Sequence, residues 1–206
     1  MSDPTRTTIP DTIRPEALAD TEPAGPYDPR QGPIDWLEAR LGAKAWDAIV
    51  MVIVEGDKVQ WCSRTGIAAL IHGGGATDYV ALNRGSINPD GKWHAGQDFI
   101  RLENWARAHG AWHVPGDGYE PQKSDALFVL RDNGRQLHYA TIAGPGDAPG
   151  TVATIEGNSH YTAAAPHGQI ARGQQVYSKA NVRGCVDVGG LLGQGIMPVE
   201  PLPTVA

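Results

Sequence analysis

Ala126-Leu127-Phe128-Val129-Leu130-Arg131, then Asp132-Asn133-Gly134, then Gln136-Leu137-His138-Tyr139-Ala140-Thr141-Ile142 reads as two strands joined by a tight turn. Branched and aromatic residues suit a pleated, half-buried surface, and Asn-Gly is a strong short-range hairpin signal. A third apolar run, Thr151 to Glu156, follows the turn residues Gly144-Pro145-Gly146-Asp147. The three runs predict an antiparallel sheet, to which Gln175-Val176-Tyr177 and Val182 to Val188 add edge strands. Upstream the pattern changes: Ser63 to His72 is rich in small and apolar residues, begins just after Trp61-Cys62 and stops at Gly73-Gly74-Gly75. That predicts a buried helix with Cys62 at its start.

Two further helices are expected. Asp35 to Trp46 carries Trp36, Leu37, Leu41 and Ala45 at helical spacing after Pro33, and Asp98 to Ala108 is amphipathic. Ala48 to Val54 is too short and too uniformly apolar for periodicity to separate a buried strand from a continued helix, and both stay open. Helices preceding an antiparallel sheet define an α+β chain.

With 206 residues, the chain suits one domain with tails rather than two. Residues 1–33 hold seven prolines and few large apolar side chains, which predicts an extended or disordered arm; residues 34–190 form the domain, and 191–206 an irregular tail. Seventeen basic against 23 acidic residues leave a formal charge of −6, which argues against a partner that is nucleic acid. No apolar run is long enough to span a bilayer, and the first residues lack a secretory leader's pattern, so synthesis in the cytoplasm is the expectation. Two cysteines, Cys62 and Cys185, build neither a disulfide framework nor a four-cysteine zinc site.

Cysteine is intrinsically nucleophilic near neutral pH, and a helix start lowers its pKa by offering unpaired N–H groups to the thiolate. His138 lies on one strand and Glu156 and Asn158 end the next, two residues apart, so both can face the imidazole. Amide hydrolysis needs a nucleophile, a base that becomes an acid, an orienting group and donors for the oxyanion. Cys62, His138, and Glu156 or Asn158 supply the first three. Main-chain N–H groups at the helix start supply the fourth, with Asn158 or Gln60 as side-chain contributors.

Four segments in this order resemble the CHAP domain, the cysteine- and histidine-dependent amidohydrolases/peptidases related to the NlpC-type enzymes. They are Trp61-Cys62, Pro121 to Val129, Leu137 to Ile142, and Thr154-Ile155-Glu156-Gly157-Asn158-Ser159; Arg183 to Asp187 resembles the family's final strand. The resemblance spans roughly residues 35–187. It implies a papain-like fold, a catalytic set of Cys62, His138, Glu156 and Asn158, no cofactor, and a peptidoglycan peptide or sugar-peptide amide as substrate. The setting it implies is a phage lysin or an antibacterial effector reaching the cell wall or periplasm by phage release or specialised secretion. Ser124 stands where the family usually carries glycine before the aspartate.

Other readings compete. The same residues would serve an effector that cleaves or deamidates a protein, and the fold without turnover would serve a structural or binding protein. Cys185 reads as a core residue. His109 and His113 are four apart, but Gly110 intervenes and no third ligand follows, so they mark a helix C-terminus and no metal is assigned. Calcium would need loop carboxylates brought together from a distance. Trp93, Trp105 and Trp112 suit a core edge better than a sugar-stacking groove.

Overall fold

The computed structural model describes residues 28–44, 61–73, 97–159 and 168–194. Its helices are α1 (Gly32–Glu38), α2 (Cys62–His72), α3 (Gln97–Ala108) and α4 (Val188–Gly193). Its strands are β1 (Trp112–His113), β2 (Ala126–Arg131), β3 (Gln136–Pro145), β4 (Thr151–Ser159), β5 (Gln169–Val176) and β6 (Val182–Val186). They form one antiparallel sheet in the order β1-β6-β2-β3-β4-β5, so the architecture is α+β.

Alternation along the strands divides the core. Phe128 and Tyr139 face α2, α3 and α4, where they pack with Leu70, Leu102, Trp105, Val186 and Leu191. Ile155 joins Ile34, Leu37, Trp61, Ala69 and Ile170 under α1 and α2. On the other side, Leu127 and Ala140, the sequence neighbours of Phe128 and Tyr139, pack with Val129, Ile142, Val152, Val182 and Cys185. Burying a side chain such as Leu70 contributes about 1.5–3 kcal/mol, so these faces fix the strand register. The helices come close because small residues face large ones: a Cβ at Gly66 of α2 would overlap the Tyr139 ring.

The hairpin, the third strand and α2 lie where the sequence puts them, and α3 begins one residue early. The helix expected over Asp35 to Trp46 is instead the seven residues of α1, with Pro33 in its first turn. It stops because Gly42 turns the chain at φ 84, and residues 42–44 then pair with β5: the Gly42 N–H bonds the Ile170 carbonyl and Ala43 O accepts from the Ile170 N–H. Residues 28–33, assigned by composition to the arm, are fastened to the sheet. Arg30 bridges Asp125 at 3.1 Å and Asp187 at 2.7 Å, and Ser124 Oγ donates to the Arg30 carbonyl at 2.5 Å. Leu191 and Leu192, placed in the tail, are buried in α4. The edge strand expected at Gln175 to Tyr177 is the end of β5, which runs from Gln169 to Val176, while the edge strand expected over Val182 to Val188 is β6, which ends at Val186 and lies inside the sheet between β1 and β2. The open segment Ala48 to Val54 lies outside the described residues, as do residues 1–27. Among the described residues, no helix is long and apolar enough to cross a membrane.

Ser124 adopts φ 68, a left-handed conformation in which glycine is at ease and which costs other residues about 1 kcal/mol or more. Its hydroxyl bond to Arg30 gives this position a tie that glycine lacks.

Candidate active site

Cys62 is the first residue of α2, whose N-cap, Trp61, makes no side-chain capping bond, and no acidic residue occupies the first turn. The helix start therefore keeps its positive end for the thiol. Its place against the sheet is set at Gly157, where a Cβ would overlap Thr65 and lie 3.0 Å from the Trp61 ring. The Thr65 hydroxyl turns back to the Trp61 carbonyl at 2.9 Å and ties the first turn together.

The β3–β4 ladder runs from Pro145↔Val152 to Thr141↔Ile155. His138 and Glu156 stand beyond its last pair, His138 paired through β3 to Val129 of β2 and Glu156 through β4 to Ala171 of β5. His138 Nε2 lies 2.9 Å from Glu156 Oε2, and both side chains are buried. With Nε2 bonded to the carboxylate, Nδ1 is the ring nitrogen left for a second partner, and Cys62 is near enough to His138 for each to shift the other's titration.

The electrostatics agree along the chain of three. Burial pushes the Cys62 thiol up, but the bond to His138, the imidazolium charge and the main-chain N–H groups of Tyr139 and Ser63 hold it below its ordinary value. Burial pushes His138 down, yet its bonds to Cys62 and Glu156 leave it above its ordinary value. Burial also raises Glu156, but His138, Thr154 and Gln175 together hold its carboxyl at about 2. A thiol shifted down beside an imidazole shifted up is the condition for a thiolate–imidazolium pair.

Sequence reasoning left the orienting role to Glu156 or Asn158; of the two, Glu156 is hydrogen-bonded to His138 at 2.9 Å. The β4–β5 register shifts between Glu156 and Ser159, and Asn158 there has φ 54. The regular two-residue alternation is interrupted there. Asn158 is buried two residues beyond the carboxylate, while Ser159 Oγ comes to 3.4 Å from Glu156 Oε2. Gln60 lies outside the described residues.

Several groups around Glu156 were missed. Thr154 Oγ1 donates to Oε1 at 2.6 Å and Gln175 Nε2 at 2.7 Å, while Arg131 Nη2 reaches Oε2 at 3.3 Å. Thr154 was within reach of sequence reasoning, since strand residues two apart share a face. Gln175 and Arg131 required the strand order.

Cys185 is buried and free, its thiol 3.8 Å from Asp125, and burial with that carboxylate raises it well above its ordinary value. It is a core residue, as expected. Asp125 is buried on the same side, bonded to the Gln122 N–H, the Tyr119 hydroxyl and Arg30, and burial pushes it up to about 7. His109 Nδ1 donates to the Trp105 carbonyl at 2.8 Å at the end of α3, and His113 stacks on Tyr119 at 3.6 Å between ring centroids. No group of three or more metal-ligating residues occurs among the described residues. Trp105 is buried and Trp112 packs edge-on against Phe128, so both belong to the core and its edge; Trp93 lies outside the described residues.

Comparison with family models, curated proteins and solved structures finds no match to this chain.

Proposed function

We propose that this protein is a cysteine-dependent amide hydrolase with a papain-like arrangement of helix and sheet. Within that class, its substrate is an amide of peptidoglycan, in a peptide cross-link or stem or between sugar and peptide. The first statement rests on one observation: Cys62 at a helix start beside His138, which is hydrogen-bonded to Glu156. The second rests on the CHAP-like order of the four sequence segments around those residues.

In the resting site the proton is on His138 and the charge on Cys62 Sγ. The thiolate attacks the amide carbon, forming a C–S bond and an oxyanion that faces the N–H groups at the start of α2. His138 then gives its Nδ1 proton to the leaving nitrogen as the C–N bond breaks, which frees the amine and leaves a thioester. Water attacks the thioester while His138 takes its proton, and collapse releases the acid and restores the thiolate beside the imidazolium. Glu156 holds the ring in the tautomer and orientation that both transfers require. The activity would act at the cell wall or periplasm, reached by phage release or specialised secretion.

Mass spectrometry of purified sacculi incubated with the wild type and with Cys62→Ala tests this. New amino and carboxyl termini with the wild type alone are expected, and they identify the bond. Sacculi left intact by the wild type, with cleavage or deamidation of a protein in its place, would contradict the substrate assignment.

A further inference from the structure

Glu156 is a buried carboxylate between three strands, and its two oxygens are treated differently. Oε1 accepts from Thr154 Oγ1 at 2.6 Å and from Gln175 Nε2 at 2.7 Å. Oε2 meets His138 Nε2 at 2.9 Å, with Arg131 at 3.3 Å and Ser159 at 3.4 Å. A carboxylate offers about four lone-pair directions, and here two neutral donors fill one oxygen while the imidazole has the shortest bond to the other. Rotation about the last side-chain bond would break both Oε1 bonds at once.

The backbone makes room for this. Gly173 of β5 pairs with Thr154, and a Cβ there would lie 2.7 Å from Glu156 Oε1 and 2.9 Å from Thr154 Oγ1. β5 thus carries a residue without a side chain opposite the carboxylate and, two positions on, an amide that reaches it. Arg131 extends from β2 across β3, which bears His138, to the carboxylate on β4. Among the described residues, the charged or titratable groups against Glu156 are His138 from β3, Arg131 from β2 and, through His138, Cys62 from α2.

We propose that Thr154 and Gln175 are positioning residues, which fix the Glu156 carboxylate so that Oε2 is held against His138. This rests on the reading of Cys62 and His138 as nucleophile and base. Neither residue touches the reacting atoms. Each removes a rotational freedom of the group that aims the imidazole, and each is absent from the catalytic set that sequence resemblance implies.

The test is an ultraviolet titration of the Cys62 thiolate, corrected with Cys62→Ala for Cys185 and the tyrosines. It needs no substrate. Thr154→Val keeps the size and removes the donor; Gln175→Met does the same on β5; Thr154→Ser restores the hydroxyl. A loosened carboxylate supports the imidazolium less, so less thiolate forms at a given pH. Thr154→Val and Gln175→Met are expected to move thiolate onset to higher pH, lowering its population about tenfold below the onset, with Thr154→Ser near the wild type. Onset unmoved by both variants, but moved by Glu156→Gln, would overturn the positioning role and leave the catalytic reading standing. Onset unmoved by Glu156→Gln and by His138→Ala would overturn that reading and the inference with it.

Discussion

Replacing Glu156 by glutamine keeps the volume and removes the charge from a side chain that is 3% exposed. In the folded protein its carboxyl is held at about 2 against an ordinary 4.5, so ionisation is favoured by about 3 kcal/mol on folding. The folded value lies below the unfolded one. The stabilisation is therefore complete above about pH 4.5 and is lost as pH falls toward about 2. Urea unfolding followed by tryptophan fluorescence measures it. Glu156→Gln is expected to be about 3 kcal/mol less stable than the wild type at about pH 7, with the gap narrowing to about 1.5 kcal/mol near pH 3. A gap of the same size at both pH values would refute the argument, because lost packing does not titrate. So would a gap below about 1 kcal/mol at neutral pH, because the carboxylate would then not be held by the donors around it.

Other consequences follow from particular contacts. Gly157→Ala places a methyl group against Thr65 and Trp61 at the start of α2; a loss of about 1–3 kcal/mol is expected, read as a lowered thermal midpoint, and an unchanged midpoint would contradict the close approach. Iodoacetamide near neutral pH is expected to label Cys62 ahead of Cys185, since their thiols are shifted in opposite directions; peptide mapping that finds equal labelling would contradict it. Arg30→Met leaves Asp125 and Asp187 without their shared cation. Because Arg30 is partly solvated, the cost is about 1–2 kcal/mol, and it grows from about pH 6 to about pH 8 as Asp125 ionises around 7. A cost independent of pH in denaturant unfolding would show that Asp125 does not titrate there.

Much of the sheet was legible because its strands follow one another closely. Ala126 to Arg131 matches β2 end to end, and Asp132-Asn133-Gly134 marks the turn, with all three residues at positive φ. Local chemistry fixes such pairings. The start of β5 was not legible, since Gln169 to Gln174 has little apolar alternation and is a strand because Thr151 to Glu156 offers it an edge. The length of α1 failed for a similar reason: helical spacing continues to Ala45, but Gly42 and the pairing with Ile170 divert the chain. At the site, Cys62, His138 and Glu156 were legible because each stands at the end or middle of an element whose type its neighbours declare. The irregularity at Asn158 was not legible because a register shift is a property of two strands, and one strand's alternation does not reveal it. Gln175, Arg131 and Gly173 were invisible because only the strand order brings them to the carboxylate.

The central claim is that Cys62 forms a covalent bond with the acyl part of an amide. Intact-protein mass spectrometry after rapid mixing with a soluble peptidoglycan fragment tests it most directly. The account predicts a transient adduct of acyl mass, lost to hydroxylamine and mapped to Cys62, that does not form in His138→Ala on the same timescale. Turnover of the fragment with no adduct, or an adduct mapped to another residue, would contradict it.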